Sequence, residues 1–121
     1  MRFLIVDDSS TMRRILVNTL ARLGHPDVVE AINGRDALQR LSEGVVDVII
    51  TDWQMAEMNG LEFVRSLRSN EATCRIPVVM VTANAGRDSI VQALDTGVNG
   101  YVVKPFTSDT IREKIAALTV R

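Results

Sequence analysis

Four short apolar runs divide this chain: Phe3-Leu4-Ile5-Val6, Val45 to Ile50 interrupted only by Asp47, Ile76 to Val81 with Pro77 near its start, and Tyr101-Val102-Val103. They are short, β-branched and nearly continuous, where a half-exposed strand would alternate. Each therefore reads as a strand buried on both faces. A fifth run, Val28-Val29-Glu30-Ala31, is partly polar and reads as a strand toward a sheet edge.

Helical patterns fill the intervals. Met12, Ile15, Leu16, Leu20 and Leu23 recur at helix spacing and stop at Gly24, with Pro26 just beyond. A second helix is expected from Asn33-Gly34 through Ala37, Leu38 and Leu41 to Gly44. A third opens at Asn59, where Glu62 completes a capping box and Leu61, Val64 and Leu67 share one face. The fourth spans Asp88 to Asp95 and ends at Gly97; the fifth begins near Thr107 or Ser108 with Ile111, Ile115 and Leu118 inward. Alternation with short connections predicts an α/β fold, a parallel five-stranded sheet covered by helices on both faces. The flavodoxin-like doubly wound (βα)5 arrangement, strand order 2-1-3-4-5, is the precedent for five such units, and the order comes from that precedent rather than from these residues.

A length of 121 residues suits a single domain over 1–121 and is enough to bury a core without staples. The one cysteine, Cys74, has no internal bridging partner, and one histidine beside it makes no zinc ligand set. A reducing, cytoplasmic setting is expected. The formal net charge of −1 argues against a nucleic-acid partner, and no apolar segment approaches the roughly 20 residues that cross a bilayer, so no membrane association is expected either.

Polar residues cluster where four of the apolar runs end: Asp7-Asp8, Thr51-Asp52, Thr82 and Lys104. In a doubly wound sheet these carboxyl ends converge on the crevice where ligands bind. One aspartate after a strand is ordinarily a cap or a solvated turn; four polar strand ends in agreement point to a site. Carboxylates about 5 Å apart repel by roughly 3 kcal/mol per pair at an effective dielectric near 20. Lys104 or a divalent cation can offset this, and Mg²⁺ suits a few hard oxygen donors; alternatively one aspartate stays protonated and no metal binds. Such a set fits phosphoryl chemistry, with a carboxylate nucleophile and cationic and hydroxyl groups facing the equatorial oxygens. Asp52, at the end of the central strand, is the candidate nucleophile; Lys104 and Thr82 are its companions, and Asp7 and Asp8 are left to hold the metal.

The motifs Leu4-Ile5-Val6-Asp7-Asp8 with Ser10-Thr11-Met12-Arg13-Arg14, Thr51-Asp52-Trp53 with Met55, Met58 and Gly60, Val79-Met80-Val81-Thr82-Ala83, and Gly100 through Lys104-Pro105-Phe106-Thr107 span essentially the whole chain. On these residues the sequence resembles the receiver domains of two-component response regulators, most closely the single-domain chemotaxis regulators among them. The resemblance implies that Asp52 accepts a phosphoryl group from a histidine kinase, here of CheA type, in a reaction the domain itself catalyses. It assigns Mg²⁺ to Asp7, Asp8, Asp52 and the backbone carbonyl of Gln54, and places Lys104 and the Thr82 hydroxyl on phosphoryl oxygens. It further implies a switch in which Thr82 moves toward the site and Tyr101 turns inward, remodelling a surface that includes Arg87, Tyr101 and Lys114. The implied output partner is a flagellar switch protein of FliM type, with a phosphatase as a further partner, a monomeric state, and a cis Lys104-Pro105 bond.

Some positions depart from the family pattern. Ala56 stands where a proline usually follows the methionine, and Gln54 and Asn84 occupy variable positions whose side chains border the path of the attacking water. Ala85-Gly86 precedes Arg87 at an unusual start for the fourth helix. His25 reads as a solvated turn residue, Cys74 as an incidental thiol, and Met55 and Met58 as loop packing, while Trp53 beside Asp52 is a natural optical reporter. Other outputs are a phosphate sink or relay. A magnesium-dependent small-molecule phosphatase is disfavoured because Asp7-Asp8-Ser9 is not Asp-x-Asp, and a nucleotide-binding module because no glycine-rich phosphate loop follows a strand.

Overall fold

In the computed structural model, which describes residues 1–119, strands and helices alternate five times. The elements are β1 (Phe3–Val6), α1 (Ser10–Arg22), β2 (Val28–Ala31), α2 (Gly34–Glu43), β3 (Val48–Thr51), α3 (Gly60–Arg68), β4 (Val78–Thr82), α4 (Arg87–Thr96), β5 (Gly100–Val103) and α5 (Ser108–Thr119). All strand pairs are parallel and the order is β2-β1-β3-β4-β5, the flavodoxin-like arrangement.

Because side chains alternate across a strand, each central strand feeds two cores. Leu4, Val6, Ile49, Val78 and Met80 pack with Phe63, Val64 and Leu67 of α3 and with Ala37 and Ala93 of α2 and α4. Phe3, Ile5, Val48, Ile50, Val79 and Val81 face the other way, onto Leu16 and Leu20 of α1 and Ile111 and Ile115 of α5. β1, β3 and β4 are buried throughout, which accounts for their unbroken apolar runs.

Five expectations need correction. β5 is an edge strand, not one buried on both faces, and Val103 is exposed. β3 starts at Val48: Val45 is 82% exposed, and Asp47 is held in a turn whose carboxylate accepts from the Arg2 amide at 2.6 Å. β4 starts after Pro77, which has no N–H to give the ladder. On α1, Ile15 faces outward, because the buried stripe runs through Leu16, Thr19 and Leu20. His25 is half-buried rather than solvated; its ring lies 5.0 Å from that of Phe3.

The helix starts follow the sequence closely. Ser9, Asn33 and Asn59 each accept an amide of the first turn, and Asn59 with Glu62 forms the complete capping box. Gly97, at φ 118°, ends α4 in the left-handed conformation that a residue with a Cβ rarely adopts. Among the described residues no helix is long and apolar enough to cross a membrane.

Candidate functional site

β1 and β3 are neighbours in register, Val6 beside Thr51, so the residues that follow them emerge side by side. The Asp52 amide donates to the Val6 carbonyl at 3.0 Å, and the Asp7 amide to Ala31 at 3.1 Å, carrying the ladders one residue past the strands. Asp7 and Asp52 are thereby presented as buried carboxylates, while Asp8, one residue further, is exposed. One oxygen from each of the three lies within 4.8 Å of the others.

Lys104 closes the group. Its Nζ stands 3.2 Å from Asp52 Oδ2 and 3.4 Å from Asp7 Oδ2. The Lys104 amide bonds the Thr82 carbonyl at 2.8 Å, and the Lys104-Pro105 bond is cis. The other Asp52 oxygen accepts from the Trp53 amide at 2.6 Å, and Asp7 Oδ1 from the Ser9 amide at 2.9 Å. Burial above all pushes the Asp7 carboxyl above the ordinary carboxylate range, and Asp52 adds to this; the Ser9 amide and Lys104 pull it back.

Three carboxylates facing one ammonium leave negative charge uncompensated, two of the three in buried positions. The donor set is hard oxygen with an exposed side at Asp8, which is the chemistry that fits Mg²⁺ with several retained waters. Gln54 is an exposed loop residue two positions after Asp52. Thr82 is buried, and its Oγ1 accepts from the Asn84 amide at 3.4 Å.

The second group of expected residues lies on consecutive elements. Arg87 opens α4 and is exposed, Tyr101 lies on β5, and the stem of Lys114 on α5 packs beside Gly100. The Tyr101 hydroxyl donates to the Asn84 carbonyl at 2.6 Å. Burial, with a smaller contribution from Asp52, raises the Tyr101 phenol above its usual pKa.

Sequence reasoning assigned no role to several residues that build the site. Arg13 bonds the Asp7 carbonyl at 2.7 Å and Glu30 at 3.1 Å, bracing the end of β1 from α1. Gly60 lets α3 begin directly against the turn after Asp52; a Cβ there would run into the Asp52 carbonyl and the Trp53 Cα. Glu57, at φ 66°, reaches Asn33 at 3.4 Å and Arg35 at 4.0 Å across the neighbouring loop. Arg13 and Gly60 carried a sequence signal as members of the motifs after Asp8 and Asp52, and Glu57 carried none. Met55 and Met58 pack on the core beside α3, as loop packing requires, and Trp53 is buried with them.

A buried aspartate pair bridged by a lysine at the carboxyl ends of a doubly wound sheet defines a receiver-type site. The model of the response regulator receiver domain matches residues 3–116, and the chain belongs to that family. Its relatives narrow the kinship. It is 49% identical over all 121 residues to chemotaxis protein CheY of Pseudomonas aeruginosa, covering 98% of that protein. It is 51% identical over 116 residues to the CheY homolog of Campylobacter jejuni, covering 95% of this chain and 89% of the relative. Among solved structures, chemotaxis response regulator CheY4 of Vibrio cholerae superposes with a TM-score of 0.89 at 32% identity, covering 97% of each chain. A putative response regulator from Chloroflexus aurantiacus reaches 0.93 at 27% identity, covering 99% of this chain and 98% of that one. The chain is a CheY-like receiver domain.

Proposed function

We propose that this protein is a chemotaxis switch that receives a phosphoryl group on Asp52 from a CheA-like histidine kinase and signals to a flagellar switch protein of FliM type. The observation that carries the reading is Lys104 Nζ held within 3.4 Å of both Asp7 and Asp52 at the convergence of β1, β3 and β5. An Asp52 oxygen forms a P–O bond as the P–N bond of the donor phosphohistidine breaks, its electron pair returning to the imidazole. Lys104 and the Thr82 hydroxyl then face the equatorial oxygens, where charge spreads in the transition state. Mg²⁺, held by Asp7, Asp8, Asp52 and the Gln54 carbonyl, supplies charge neutralisation at those oxygens when bound.

The chemotaxis assignment is supported by the relatives, named chemotaxis proteins at about half identity over nearly the full chain. Output passes through Arg87, Tyr101 and Lys114, which lie on α4, β5 and α5 at the β5 edge of the sheet. The chemistry is tested with acetyl phosphate and Mg²⁺, read by intact mass. One phosphoryl group is expected, absent in Asp52→Asn and without Mg²⁺; modification that persists in Asp52→Asn overturns the assignment. The output is tested by capture on the N-terminal peptide of a flagellar switch protein. Binding strengthened by beryllofluoride is expected, and absent or activation-independent binding favours a phosphate sink or relay.

A further inference from the structure

Asn84 follows Thr82 by two positions, yet both polar ends of its side chain are spent on α4. Its Oδ1 accepts from the Gly86 amide at 3.1 Å, and its Nδ2 donates to Ser89 Oγ at 3.1 Å. The arrangement has a local cause. The α4 N-cap is Gly86, which has no side chain to satisfy the amides of the first turn. Asn84, from outside the helix, ties the turn to that end instead.

The same residue carries the carbonyl that accepts the Tyr101 hydroxyl at 2.6 Å, and its amide donates to Thr82 Oγ1. A side chain bonded at both ends fixes its rotamer, and with it the direction of the attached backbone. We propose that Asn84 and Ser89 are positioning residues that latch the β4–α4 turn to the first turn of α4, holding the Asn84 carbonyl where it captures Tyr101. The inference rests on the switch reading of Tyr101 above and adds the residues through which it acts.

Tyr101 is the only tyrosine, so 3-fluorotyrosine labelling places one ¹⁹F resonance at the latch. The full chain is measured unphosphorylated, in EDTA. Ser89→Ala is expected to move the resonance from its wild-type position toward that of the urea-unfolded protein, and Ser89→Thr, which keeps the hydroxyl, to restore it. Alanine is the better helix former, so a role in helix stability alone would leave the resonance in place and the melting temperature unchanged or higher. Asn84→Ala is expected to move the signal further. If Ser89→Ala leaves the resonance at its wild-type position, the latch is refuted, whether or not Asn84→Ala folds. Acetyl phosphate labelling of wild type is scored separately by mass, so failure of the phosphoacceptor reading is distinguishable from failure of the latch.

Discussion

Lys104 Nζ lies between two carboxylates, 3.2 Å from Asp52 and 3.4 Å from Asp7, on a side chain only 19% exposed. It therefore both offsets part of the negative charge of the metal-free site and competes with a cation for it. Replacing it separates the two roles. Lys104→Ala is expected to bind Mg²⁺ more than about tenfold more tightly, because a unit charge at this range is worth more than about 1.4 kcal/mol at an effective dielectric near 20. The same variant is expected to lose roughly 100-fold in labelling rate by acetyl phosphate, the usual cost of removing one preorganised charge from a transition state. Trp53 fluorescence titration and intact mass read the two effects; weaker Mg²⁺ binding would refute the competition.

Burial holds the Asp7 carboxyl above its ordinary pKa in the metal-free protein. A raised folded-state value means that the native state binds this proton more tightly than the unfolded state. Its contribution to stability is present below the ordinary carboxylate value and is lost as pH rises through the raised one. Melts in EDTA between pH 4 and pH 7 should show wild type losing stability relative to Asp7→Asn across that interval. At neutral pH the variant is expected to melt higher than wild type and to gain less from added Mg²⁺.

Gly60 has no room for a methyl group, since a Cβ would meet the Asp52 carbonyl, Trp53 Cα and, at 3.0 Å, Met80 Cε. The first two are backbone and cannot yield without moving the acceptor. Gly60→Ala is expected to cost about 2–3 kcal/mol, read by urea unfolding on Trp53 fluorescence, and to slow phosphorylation of the fraction that remains folded.

Arg68 is a half-buried guanidinium that donates to carbonyls and a side-chain amide. It bonds Gly97 at 2.8 Å, Ile76 at 2.8 Å, Cys74 at 3.1 Å and Asn99 Oδ1 at 3.0 Å, joining the ends of α3 and α4 to the approach to β4. Burial lowers its pKa. Arg68→Lys keeps the charge but loses the planar fork, so it is expected to cost about 2 kcal/mol by urea denaturation. A neutral result would show that these bonds are replaced by water.

β1, β3 and β4 were legible because they are buried on both faces, a condition that keeps each run apolar up to the Thr51 and Thr82 that close β3 and β4. The helix starts were legible for a similar reason: Asn33, Asn59 and Glu62 satisfy their own local amides. Limits of elements were less so. Val45 is as apolar as Val48, but whether it joins the sheet is decided by Asp47 and Arg2, which are distant in sequence. The same holds for Ile15, whose exposure depends on which stripe of α1 meets β1 and not on its own hydrophobicity.

Sequence by itself determined that Asp7, Asp8, Asp52, Thr82 and Lys104 stand at strand ends, because hydrophobic runs and their stops are local properties of the chain. That these ends meet, with Lys104 reaching Asp7 across 97 positions, follows from a strand order that no local pattern encodes. Tertiary structure alone decided that the Tyr101 hydroxyl meets the Asn84 carbonyl, and it decided the support given by Arg13 and Arg68. A polar side chain bonds whatever partner folding brings within about 3 Å, and such partners come from elements far apart in the chain.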